Sequence, residues 1–90
     1  MKTITGNEIP DACRGLLYLC EYDTYKPELK VIGEIAYKSS SDALEGYSNI
    51  PNPASQLAIG NSKEEFEMEL NRLHDKMNNP EWVRDLGEYL

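Results

Sequence analysis

Ninety residues with a formal net charge of −7, 40% of them hydrophobic and 28% charged, describe one domain with a thin core. A chain this short buries only about 60 to 65% of the surface it exposes when unfolded. These values exclude the disordered and membrane classes, and the sign of the charge disfavours direct contact with DNA or RNA, whose phosphates the same field repels.

The opening residues, "MKTITGNEIP", carry no apolar run of signal-peptide length, and no later stretch approaches the roughly 18 apolar residues of a spanning helix. A cytoplasmic protein without membrane contact is therefore expected. Cys13 and Cys20, if both lay on one extended strand, would be roughly 23 Å apart, far beyond disulfide reach, so reduced thiols are expected.

Aromatic and β-branched residues dominate residues 16–22, "LLYLCEY", and 29–38, "LKVIGEIAYK", and a loop containing Pro27 separates the two runs. This is a hairpin signal. Pairing Tyr22 with Leu29 places Glu21 against Lys30, Cys20 against Val31, Leu19 against Ile32, Tyr18 against Gly33 and Leu16 against Ile35. An opposite-charge pair and a tyrosine ring over a strand glycine both favour that register. A strand glycine also marks bulges, and Gly33 leaves that alternative open.

The connection that follows, "SSSDALEGYSNIPNPASQLAIGN", is rich in Ser, Asn, Pro and Gly and reads as a linker with one helical turn near Asp42 to Glu45. Within it, residues 56–59, "QLAI", are apolar and bounded by turn residues, which predicts a third strand. Ser62 with Glu65 three residues on forms a capping box and opens a helix over 62–78. Phe66, Leu70, Leu73 and Met77 stack on one stripe of it and should pack on the sheet. Asn78, Asn79 and Pro80 stop that helix, and Pro80 suits the first position of a short C-terminal helix over 80–89 carrying Trp82, Val83, Leu86 and Tyr89. The fold class is α+β: an antiparallel sheet of about three strands with the main helix on one face and the short helix alongside.

Motifs for the familiar chemistries are absent. The strings HExxH, CxxC, GxSxG, GxxxxGK[ST] and GxGxxG do not occur, and His74 is the sole histidine. Glu67 and His74 share a flank of the main helix, but a lone surface histidine beside an acid is more often a solvated neighbour than a ligand or base. No catalytic, metal or cofactor-binding residues are assigned, and the chain is expected to be no enzyme and to need no cofactor.

Charge is spread evenly, with eight acids and five bases before Asn61 and eight acids and four bases from there on. In the main helix, Glu64, Glu65 and Glu67 complement the positive end of the macrodipole and Arg72, His74 and Lys76 the negative end. That bland account leaves over the Glu65–Glu69 repulsion at a spacing of four and Met68, which points away from the stripe between Glu64, Asn71 and Asp75. Glu64, Glu67, Met68 and Asp75 are thus candidate partner-binding residues, an apolar contact among acids, with a solvated helix face as the alternative. Tyr25, in the hairpin loop, is a fifth candidate, since exposed tyrosines anchor interfaces; its alternative is a ring lying on its own hairpin.

The run "GYSNIPNPASQLAIGNSKEE", residues 46–65, resembles HicB-like antitoxins. It has Gly46-Tyr47 on a strand, a turn bounded by Pro51, a short strand, Gly60-Asn61-Ser62, and Glu64-Glu65 at a helix start. The resemblance covers about a quarter of the chain. It implies a sheet with one packed helix that neutralises a small basic RNA-cleaving toxin. From the residues themselves the leading expectation is an acidic binding protein, monomer or homodimer, that inhibits or sequesters a basic protein such as a nuclease, its carboxylates standing in for phosphates. A structural subunit that self-associates through the hairpin edge and a small enzyme or ligand-binding domain are the alternatives.

Overall fold

A computed structural model describes residues 1–90. Its order is β1 (Gly15–Asp23), β2 (Glu28–Tyr37), α1 (Ser40–Ser48), β3 (Gln56–Ile59), α2 (Lys63–Met77) and α3 (Pro80–Gly87). The three strands form one antiparallel sheet in the order β2-β1-β3, so the architecture is α+β with β1 central. No helix is long and apolar enough to cross a membrane.

Alternation along β1 divides the interior. Leu16, Tyr18 and Cys20 face one side and join Ala58, Phe66, Leu70 and Leu73 in the main core cluster, with Tyr22 and Met77 packed against it. The stripe read from the sequence therefore lies on the sheet, its last member only half-buried. Helix α2 begins as its cap predicts: Ser62 Oγ accepts from the Glu65 N–H at 3.1 Å, while the Glu65 carboxylate makes no return bond. Asn79 caps α3, accepting from the Glu81 and Trp82 N–H groups, and Pro80 fills the first turn. That helix ends at Gly87, two residues short of the expected Tyr89, whose ring stands 87% exposed. Gly87, its last residue, has no side chain to meet the Tyr22 hydroxyl, which lies where a Cβ would be.

Leu17 points to the opposite face and is buried there, away from the main cluster. What covers that side is α1, where the sequence suggests a single helical turn. Ser39 Oγ accepts from the Asp42 N–H at 3.2 Å and starts a full helix of nine residues. Ala43 then seats so closely over Gly15 that any Cβ there would collide with it. The sheet is consequently sandwiched between α1 on one face and α2 with α3 on the other. Gly46 and Tyr47 belong to α1, which corrects the strand that the antitoxin resemblance implies for them.

The hairpin register holds at Tyr22↔Leu29, Glu21↔Lys30 and Cys20↔Val31, then shifts at a bulge. Ile32 is left unopposed, so Leu19 pairs with Gly33, Tyr18 with Glu34, Leu17 with Ile35 and Leu16 with Ala36. The expected tyrosine-over-glycine pair is replaced by a leucine over the glycine, with Leu19 Cδ1 3.1 Å from where a Gly33 Cβ would sit. Beyond the bulge each expected pairing is displaced by one residue, which sets Glu34 beside Tyr18.

Before β1 the chain makes a compact strap that the sequence did not announce. Lys2 bridges Glu8, Ile9 N–H donates to Met1 O at 3.0 Å, and Gly6 supplies the left-handed turn at φ 97°. Ile4 and Ile9 pack against the core beside α2.

Candidate functional site

Of the five candidate residues, Glu64, Met68 and Asp75 lie on one outward ridge of α2. Spacings of four and seven put them, with Asn71, opposite the buried Phe66, Leu70 and Leu73. All are exposed, and Met68 keeps 55% of its surface in water at the centre of the ridge. Glu67 stands apart from them. It lies on the flank, half-buried against the strap, and with Met1, Ile9, Lys63 and Phe66 lines a cavity of about 70 Å³.

Tyr25 sits on another element, the β1–β2 loop. Asp23 Oδ1 accepts from the Tyr25 N–H at 2.9 Å and the Lys26 N–H at 3.4 Å, an Asx turn that fixes the loop backbone. The ring does not lie on the hairpin: it is 96% exposed.

The charge around the ridge is uncompensated. Ion pairs occur at Lys2–Glu8, Lys63–Asp11 and Arg72–Glu69 only, so three of the sixteen carboxylates meet a cation and none of Glu64, Glu67 and Asp75 does. Glu69, which the sequence sets against Glu65, is instead drawn to Arg72 at 3.2 Å.

His74 is not a solvated neighbour of Glu67. It is half-buried, and its Nε2 lies 2.6 Å from the hydroxyl of Tyr18, with the two rings tilted at 42°. The same hydroxyl accepts from the Ile4 N–H at 2.9 Å. Burial pushes the phenol up to about 12 and holds the imidazole below its ordinary value, although the charges of Asp75 and Glu34 pull the imidazole the other way. Burial also acts to raise the Glu34 carboxyl, but hydrogen bonds from Thr5, Asn7 and Thr3 outweigh it and leave that group below the usual range. Asn7 Nδ2 donates to Glu34 Oε2 at 3.0 Å, and Thr5 Oγ1 to Oε1.

These partners were hidden because the bulge and the strap bring them together, and neither has a periodic signal. Tyr18, placed by period on the buried face, carried a polar tip that needed a partner there, the one signal that pointed to this site. The thiols of Cys13 and Cys20 are free and buried, and burial pushes Cys20 up to about 11. Three or more His, Cys, Asp or Glu side chains nowhere converge to hold a metal ion.

The outer edge of β2 forms a third surface. No backbone bond outside the ladders reaches residues 28–36, and Ile32 and Ile35 beside that edge are 58% and 40% exposed. Lys30, Glu34 and the bulge at Ile32 are features that hinder strand addition. Compared with family models, with curated proteins and with solved structures, the chain matches none.

Proposed function

We propose that this chain is a non-catalytic binding protein that inhibits or sequesters a basic protein, a nuclease or another protein that handles nucleic acid, through the outward ridge of α2. The observation that carries the reading is the composition of that ridge: exposed Met68 between Glu64 and Asp75, with no cation within 4 Å of either carboxylate. An apolar contact gives a partner something to bury, and surrounding charge of one sign steers an oppositely charged surface toward it. The carboxylates then occupy positions that phosphates would take on the partner's usual ligand. Tyr25 extends the contact as a separate aromatic anchor on the hairpin loop. What remains of the resemblance to HicB-like antitoxins once Gly46-Tyr47 is placed on a helix, namely the turn, short strand and capped helix start, supports the same class of partner.

Capture from native lysate with the wild-type protein and with an E64K/D75K bait, which reverses the two ridge carboxylates, at low and high salt, tests this. The reading expects a basic protein held by the wild type at low salt, weakened by salt and lost with the variant, because exposed charges are screened within about 8 Å at physiological ionic strength. Retention that ignores both salt and charge reversal contradicts it. A second reading, self-assembly through β2, is supported by Ile32 and Ile35 beside an unpaired edge. Sedimentation across a range of concentrations separates it from the first.

A further inference from the structure

The N-terminal strap, residues 1–9, is fastened to the body at two polar points. Ile4 donates its backbone N–H to the Tyr18 hydroxyl, and Thr5 and Asn7 hold the Glu34 carboxylate. Between them, the first point is built on a chain of three groups that passes from strap to sheet to helix: Ile4 N–H, Tyr18 O–H, His74 Nε2.

We propose that this hydrogen-bonded chain is a proton-operated latch: protonation of His74 breaks the Tyr18 to His74 hydrogen bond and frees the Ile4 end of the strap, while Thr5 and Asn7 keep their hold on Glu34 and the rest of the fold stays closed.

The hydrogen count dictates the mechanism. Tyr18 is fully buried, and its oxygen already accepts from Ile4, so its own hydrogen needs an acceptor. The sole partner in range is His74 Nε2, which must therefore be unprotonated, with the ring hydrogen on Nδ1. A proton on Nε2 sets two donors against each other. The phenol must then turn its hydrogen toward the Ile4 N–H, which breaks that bond, or leave it without a partner in a buried site, a penalty that is relieved when the Ile4 end of the strap opens to water.

Groups facing the imidazole are few. The sheet presents Tyr18 and the Glu34 carboxylate, and α2 itself presents Asp75. The strap's own charged side chains, Lys2 and Glu8, are exposed and lie 3.9 Å from each other. Glu34 and Asp75 favour the imidazolium and so help the proton in, while burial opposes it. The surface that opening uncovers is the Glu67 flank of α2, where Met1 and Ile9 close the cavity of about 70 Å³.

Amide hydrogen exchange of the whole protein reads the latch at a single site, since the Ile4 N–H has no acceptor other than Tyr18. Between about pH 7.5 and about pH 5, the range in which a histidine titrates, the Ile4 protection factor should fall about tenfold, and by more than that of Leu70, which follows only the decline in global stability. In H74Q, whose amide oxygen accepts from the phenol without titrating, Ile4 should keep its protection at both ends of the range. In Y18F it should be unprotected at both. A wild-type Ile4 factor that does not change, one that falls no further than Leu70's, or a fall that persists in H74Q overturns the latch.

Discussion

Truncation of one α2 residue from each face measures how strictly the helix is divided. Leu70 is fully buried at the centre of the core cluster, between Phe66 and Leu73 and beneath β1. Leu70→Ala removes buried carbon and leaves a cavity, a change that costs about 2–5 kcal/mol. A 90-residue domain holds roughly 5–13 kcal/mol in all, so this single truncation consumes about a sixth of the total at the least and most of it at the extreme. With a urea slope of roughly 1–3 kcal/mol per molar, the midpoint should fall by about 0.7 M or more. Met68→Ala, two positions away on the ridge, should change stability by no more than about 0.5 kcal/mol. Urea denaturation followed by circular dichroism on both variants decides the matter. Equal midpoints for the two variants, or a Leu70→Ala midpoint indistinguishable from wild type, would refute the division of the helix into a buried and an available face.

Two further outcomes follow from the packing and the titrating groups. Gly60 joins β3 to α2 where an added Cβ would press into the backbone N and Cα of Phe66, so Gly60→Ala should destabilise by about 1–3 kcal/mol or more, visible as a lowered thermal midpoint; a wild-type midpoint would mean the junction is looser than the structure has it. Stability should also decline with acid in two stages. His74 and Glu34 are both held below their ordinary values of 6.5 and 4.5, so each contributes stability that is complete above that value and is lost as pH falls through its folded pKa. Urea midpoints measured from neutral pH downward check this, and a midpoint that rises on acidification would reverse the sign.

Legibility from sequence followed the strength of local signals. Helix α2 was readable because Ser62 and a four-three-four stripe at Phe66, Leu70, Leu73 and Met77 agree on one answer. The hairpin was readable up to Val31, where the Glu21–Lys30 pair fixes the register, and not beyond it, because an inserted Ile32 looks like any other β-branched strand residue. Helix α1 was obscured by its own composition: a Ser39 cap followed by more serines and a glycine resembles a turn, and what stabilises it is the fit of Ala43 onto Gly15. The strap rests on side-chain bonds from Thr5 and Asn7 to Glu34 and on a left-handed Gly6, none of which leaves a periodic trace. Of the candidate site, exposure of Met68, Glu64 and Asp75 followed directly from helical period. The half-burial of Glu67 did not, because it depends on the strap.

The central claim is that the α2 ridge recognises a basic partner by charge. Its most direct test is the association rate of the captured partner with wild type and with E64K/D75K, after circular dichroism has shown both to be folded. The account predicts association slowed by on the order of tenfold or more at low salt, with the difference shrinking as salt rises. Equal rates for the two proteins at every salt concentration would contradict it.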